Sequence, residues 1–351
     1  MYSKVDRQIF RDCTEIFSDP EYFRAMSAKN ILITGATGFI GSYIAKSLFY
    51  LNTHNLLDRP ACIYVAYRSA SKLKDCYAPF LQFHWCKPIY LDLNNPKLDI
   101  ADDINIIFHC ASQATSQSYS KSPVNTILPN VIGTNYLLDM LKNSDNPQAF
   151  MFLSSSEVYG RYDSDIVLVE PSVGNLDHLS TRDSYGESKR MGESLCSAYY
   201  HEFSIPTYVA RLFHSYGPGL SESDPRIFAD FAFKVINRQD LVIHSNPATS
   251  RSFCYISDVC KALFAIMRYG QCNYPYNVAN PDSTLSIEEL AELLIGLYPQ
   301  YNLSVKTDSS TDWAKPAKIM PSIIRMNHLS WFPSIEPAVG FKRLIESYPH
   351  K

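Results

Sequence analysis

Residues Asn30 to Gly41, N-I-L-I-T-G-A-T-G-F-I-G, restrict the folds open to this chain more than any other stretch. Ile31 to Ile33 are three consecutive apolar residues, suited to a strand buried on both faces, and from Phe39 to Leu51 apolar residues recur with helical spacing. Gly35, Gly38 and Gly41 fill the junction. In a strand-turn-helix setting, glycines at this spacing allow a tight turn, let backbone amides approach a pyrophosphate, and permit close helix-strand packing. The helix N-terminus adds a partial positive charge that favours the anion. The stretch predicts the first βα unit of a dinucleotide-binding sheet.

The same alternation continues downstream. Strands are predicted at Ala61–Tyr67, Pro88–Leu93, Ile104–Ala111, Ala149–Ser154 and Pro206–Phe213, with helices over Val124–Leu141 and Arg226–Asn237. Strands separated by helices imply parallel crossovers, so the expected fold class is α/β, a doubly wound parallel Rossmann sheet. Ligands of such sheets bind beyond the carboxyl ends of the strands, where Asp92, Ala111, Ser112 and Ser155 fall. The end of the second strand normally faces the adenosine ribose. An acid there binds the 2′-hydroxyl of NAD, whereas an arginine accommodates the 2′-phosphate of NADP. This chain has Arg68-Ser69 at that point; an arginine can also stack on adenine, so both cofactors stay open.

Composition narrows the classes. With 46% hydrophobic residues, 351 residues can bury a substantial core, and a net charge of −3 without a long Lys/Arg run gives no reason to expect nucleic acid. The apolar runs are too short to span a bilayer and the first residues lack the apolar core of a signal peptide, so no membrane partner and a cytoplasmic location are expected. Nine cysteines include no C-x-x-C pair and the nine histidines are scattered, which predicts free thiols and no metal site. Residues 1–28, with apolar pairs at roughly helical recurrence, are expected to form a helix or two on the surface.

Two stretches carry candidate chemistry. Ser154-Ser-Ser-Glu-Val-Tyr-Gly160 closes the fifth strand with three hydroxyls and a carboxylate. Tyr185 and Lys189 stand four apart in a segment where Ser184 and Glu187 have capping-box spacing, so both side chains share a helix face. An ammonium near a phenol favours the phenolate, which would let Tyr185 act as a base near neutral pH.

These residues resemble the extended short-chain dehydrogenases/reductases that modify nucleotide sugars. The resemblance spans about residues 29–299 and rests on TGATGFIG (34–41), LDL (91–93), HCAS (109–112), NVIGTNYLLD (130–139), SSSEVYG (154–160), YGESK (185–189), ARLFHSYGPG (210–219) and TSRSFCYISDV (249–259), all in order. Within the family the chain looks most like UDP-glucuronate decarboxylases. It has Ser156 where dTDP-glucose dehydratases have aspartate, and His214 where the family usually has asparagine.

The resemblance implies a dinucleotide domain at 29–205, a smaller substrate domain mainly at 206–351, return of 252–270 to the main sheet, and a homodimer through the helices at 124–141 and 185–203. It assigns Gly35, Thr37, Gly38, Phe39, Ile40, Gly41, Arg68, Asp92, Leu93, Ala111 and Ser112, with Tyr185 and Lys189, to NAD or NADP. Ser155, Glu157, Tyr185 and Lys189 are the implied catalytic set; Ser156, His214, Arg226 and Arg251 would hold a nucleotide-diphosphate sugar. The implied reaction is oxidation at sugar C4 followed by decarboxylation, with 4-epimerisation or 4,6-dehydration as alternatives and a dinucleotide-sensing binding protein as the non-enzymatic one.

Overall fold

The computed structural model describes residues 2–98, 100, 102–113, 116–307 and 316–349. Seven parallel strands form the central sheet: β1 (Asn30–Thr34), β2 (Cys62–Tyr67), β3 (Cys86–Tyr90), β4 (Ile106–His109), β5 (Ala149–Ser155), β7 (Thr207–Leu212) and β11 (Pro275–Val278). Their spatial order is β11-β7-β5-β4-β1-β2-β3, so the chain leaves β1 in one direction and returns at β4 on its other side. That reversal opens a crevice between β1 and β4 at their carboxyl ends.

Alternate side chains of the strands enter opposite layers, which is why both faces must be apolar. Ile31, Ile33, Ile63 and Val65 join one core with α2 (Phe39–Thr53), α3 (Ala70–Tyr77) and α8 (Ile256–Tyr269). Leu32, Tyr64 and Ala66 join the other with α5 (Pro123–Lys142) and α6 (Ser184–Phe203). The remaining chain builds the smaller part. β8 (His214–Tyr216), β10 (Ser250–Tyr255) and β12 (Thr284–Ser286) form a three-stranded sheet, β9 (Leu241–Ile243) pairs with β13 (Val305–Thr307), and β6 (Ile166–Leu168) pairs with β14 (Ile319–Pro321). Helices α7 (Ile227–Ile236), α9 (Ile287–Gly296) and α11 (Pro337–Glu346) pack together there. α9 begins with the reciprocal Ser286/Glu289 cap.

The central sheet extends past residue 205, since β7 and β11 complete its edge. Segment 252–270 divides: β10 stays in the small sheet, while α8 packs on the main one beside β5, β7 and β11.

The N-terminal helix, α1 (Lys4–Ile16), is fastened by buried charge as well as by its apolar face of Ile9, Cys13 and Ile16. Asp6 pairs with Lys46 of α2 at 2.7 Å. Asp12, fully buried, accepts hydrogen bonds from the hydroxyls of Tyr43 and Tyr255, each at 2.8 Å, and from Arg343 at 2.9 Å. One carboxylate thus joins α1, α2, the end of β10 and α11.

Candidate active site

The turn after β1 requires its glycines. Gly35 has φ +63°, and a Cβ there would lie 2.8 Å from the Cα of Ala111, the residue two beyond β4. A Cβ on Gly41 would sit 2.4 Å from the Gly35 carbonyl oxygen. Beneath this junction His109 is buried, its Nδ1 2.8 Å from Thr34 Oγ1 and its Nε2 3.0 Å from Thr134 Oγ1. Thr134 donates to the Asn130 carbonyl at 2.6 Å, so Nε2 is assigned the proton. Burial, helped by the charge of Lys189, holds the His109 pKa down at about 3, and the ring serves as a neutral brace.

Above the junction lies a cavity of about 440 Å³, walled by Gly35, Thr37, Gly38, Phe39, Ile40, Gly41, Arg68, Leu93, Ala111 and Ser112, as expected for the cofactor, together with Ser69, Lys72, Asn125 and Arg226. Asp92 is not on this wall; it stands 4.0 Å from Arg68 and binds Asn94. The residues fit a dinucleotide. Gly35, Gly38 and Gly41 put no side chain in the way of an approaching pyrophosphate, and Ser112 Oγ is buried without a partner among the described residues.

β5 delivers Ser155 to the strand end, where its Oγ accepts from the Glu157 amide at 3.2 Å and is hydrogen-bonded to the Tyr185 hydroxyl. Ser156 and Glu157 follow in a single 3₁₀ turn. Tyr185, Lys189 and Glu193 share one face of α6. Glu193 accepts from Ser154 Oγ at 2.5 Å and from Arg211 of β7 at 2.6 and 2.9 Å, which locks helix to strand.

Two expectations are corrected. Ser184 does not cap α6: Asp183 is the cap residue, Ser184 Oγ donates to the Thr181 carbonyl, and Glu187 pairs with Arg190 instead. Nor does Lys189 set the acidity of Tyr185 in this state. Its ammonium donates to the Leu153 carbonyl at 2.7 Å and lies 5.9 Å from the tyrosine ring centre. Burial dominates both groups by disfavouring their charged forms. It pushes Tyr185 up to about 12, against the opposing Ser155 hydrogen bond and Arg226, and brings Lys189 down to about 8.

On the substrate side, His214, Arg226 and Arg251 line a second cavity of about 320 Å³, and Arg226 belongs to the walls of both. Arg226 is held by Asp224 at 2.6 Å and lies over Phe228; Arg251 donates to the Ser250 carbonyl. Burial and the two arginines hold His214 down at about 3, leaving a neutral imidazole between cations. Arg251 and Glu157 act on each other electrostatically, as do Arg226 and Tyr185, so the two arginines of the substrate side lie within electrostatic reach of the α6 site.

Two residues escaped the sequence reading. Arg182 donates to Glu157 Oε2 at 3.0 Å and lies over the Tyr119 ring at 5.0 Å; Tyr119 in turn stacks on Tyr185, with centres 5.3 Å apart and planes 11° apart. Arg182 is three residues before Tyr185, and that proximity was the available signal. Tyr119, on the short helix α4 (Ser116–Lys121), had none.

Fold and site together define an extended short-chain dehydrogenase/reductase. The chain belongs to the NAD dependent epimerase/dehydratase family, whose model matches residues 31–279. UDP-glucuronic acid decarboxylase 6 of Arabidopsis thaliana is 28% identical over 328 residues, covering 92% of this chain and 89% of that protein. Among solved structures, the UDP-N-acetylglucosamine 4-epimerase of Methanobrevibacter ruminantium M1 superposes with a TM-score of 0.77 at 21% identity, covering 92% and 98% of the two chains. The UDP-glucuronic acid 4-epimerase of Bacillus cereus, solved with UDP-glucuronic acid and NAD, gives 0.73 at 21% identity over 91% and 98%. No helix among the described residues is long and apolar enough to cross a membrane.

Proposed function

We propose that this protein oxidises the C4 hydroxyl of a nucleotide-diphosphate sugar and decarboxylates a UDP-glucuronate-type substrate through the 4-ketone. The observation that carries the reading is Arg182, an arginine beside Tyr185 whose present partner, Glu157, is itself a carboxylate. A sugar carboxylate can take over the same guanidinium, with the geometry that arginine favours. The decarboxylase names of the relatives agree with it.

When bound, a nicotinamide dinucleotide would supply the hydride acceptor for sugar C4 and later the hydride donor, and the positive charge of its oxidised ring, present before the transfer, would favour the Tyr185 phenolate that starts the reaction. The cavity residues described above, from Gly35 to Ser112, would hold it. Tyr185 takes the proton of the C4 hydroxyl, and Ser155 donates to the oxygen as it becomes the ketone. The C5–carboxylate bond then breaks, carbon dioxide leaves, and the electron pair passes into a C4–C5 enolate. Glu157 delivers a proton to C5, and Tyr185 returns its proton to the C4 oxygen. One proton is consumed, carbon dioxide and a pentose nucleotide form, and there is no net redox change. Arg226, Arg251 and neutral His214 hold the diphosphate, and Ser156 orients the ring.

A homodimer is part of the proposal, since α5 exposes Val124, Ile127 and Ile132 and α6 exposes Met191. The test is to incubate the purified protein with UDP-, GDP-, CDP- and dTDP-sugars, UDP-glucuronate among them, and follow product mass. Loss of carbon dioxide from UDP-glucuronate is expected. Unchanged mass with altered retention would mean epimerisation, loss of water would mean dehydration, and no conversion of any sugar would favour a binding protein.

A further inference from the structure

Several elements converge on the carboxylate of Glu157. The 3₁₀ turn that carries it is pressed against α6, since a Cβ on Gly186, the residue after Tyr185, would lie 2.7 Å from the Glu157 carbonyl oxygen. Four titratable side chains act on it electrostatically: Arg182 from the loop before α6, Tyr185 from α6, Tyr119 from α4 and Arg251 from β10. Among the described residues, Arg182 is the one cation within ion-pair distance, at 3.0 Å. The Glu157 side chain is 37% exposed, so water reaches it in the free protein.

A uronate sugar would bring a second carboxylate to the Arg182 guanidinium, and with it a diphosphate that draws on Arg251. Two carboxylates on one guanidinium, in a cleft the ligand closes to water, repel each other, and the repulsion favours a proton on one of them. The more basic of the two takes it. A uronate carboxyl sits on C5, which also bears the ring oxygen; that electron-withdrawing neighbour makes it the stronger acid, so the proton settles on Glu157. This division suits the reaction. Only an ionised sugar carboxylate can lose carbon dioxide, and only a protonated Glu157 can supply the proton at C5.

We infer that binding of the uronate at Arg182 draws one proton from solvent onto Glu157, and that this is the proton consumed at C5. Atoms and charge balance: the C5–carboxylate bond breaks, its electron pair passes through the enolate into a new C5–H bond, and Glu157 is left ionised. The pentose product has no carboxylate to compete for the guanidinium, so Glu157 pairs with Arg182 again. The inference deepens the decarboxylation reading above and rests on it.

Titration calorimetry tests it on the full-length Tyr185→Phe chain, in which the bound sugar stays unconverted. Repeating each titration in two buffers of different ionisation enthalpy counts the protons taken up. About one proton per UDP-glucuronate and about none per UDP-glucose are expected near pH 7, and the Kd for UDP-glucuronate should rise about tenfold per pH unit above that. Glu157→Gln, with Glu157→Ala as a second variant lacking the carboxylate, should bind UDP-glucuronate without the uptake and without the pH slope. UDP-glucuronate binding with no proton taken up, or uptake that survives in both variants, would overturn the inference and leave the decarboxylation reading standing. Equal uptake with UDP-glucose would also overturn it, because the proton would then belong to the diphosphate site. If UDP-glucuronate fails to bind while another nucleotide sugar does, the decarboxylation reading itself falls.

Discussion

Replacing Arg182 by alanine separates a sugar carboxylate from the rest of the substrate. In the free protein the Arg182–Glu157 pair, at 3.0 Å, has side chains 43% and 37% exposed, so its own contribution is at most about 1 kcal/mol. The same guanidinium on a substrate carboxylate, in a site from which the ligand has displaced water, makes a charge-assisted bond of about 1.5–3 kcal/mol. Giving up the first for the second nets about 0.5–3 kcal/mol, or about 2–150-fold in affinity. Dissociation constants for UDP-glucuronate and UDP-glucose, measured on wild type and Arg182→Ala, should show that loss for the glucuronate and little change for the glucose. Arg182→Lys keeps the charge and loses the fork, so it should recover part of the difference. Equal loss for both sugars would refute the reasoning, because Arg182 would then be acting through Glu157 or the Tyr119 stack.

Tyr185→Phe removes the group that takes the C4 proton and should lower turnover by about 10²–10⁴-fold; near-normal turnover would sink the assignment. Burial brings Lys189 down to about 8, so the folded protein releases this proton at lower pH than the unfolded chain does. The unfolded lysine still binds its proton up to about 10.4, so stability from this group should rise between about pH 8 and pH 10 in urea titrations. Asp12→Ala would strand the buried hydroxyls of Tyr43 and Tyr255 and should cost about 3–5 kcal/mol in chemical denaturation, with Asp12→Asn milder. Val124→Glu combined with Ile132→Glu should turn the proposed dimer into a monomer by light scattering, and a wild-type monomer at micromolar concentration would contradict the dimer.

Much of the sheet was legible because its signals are local. Ile31 to Ile33, the glycine turn and the apolar runs that became β2, β4 and β5 each state their structure within a few residues, and boundaries shifted by only one or two positions. The α6 cap was misread for an equally local reason. Ser184 and Glu187 have the right spacing, but the loop before them lets Ser184 bond Thr181 and puts Asp183 at the cap position.

From the sequence alone follow the α/β class, the glycine turn beneath a dinucleotide, and a tyrosine and lysine on one helix face, because each depends on chain spacing alone. The tertiary structure decided what spacing does not encode. Asp12 joins residues 31, 243 and 331 positions away, turning a surface extension into a clamp on both halves. Tyr119 meets Tyr185 across the strand order, and Arg182 finds Glu157 across the loop. The tyrosine and lysine themselves take their acidity from burial, which exists only once two layers have closed over α6.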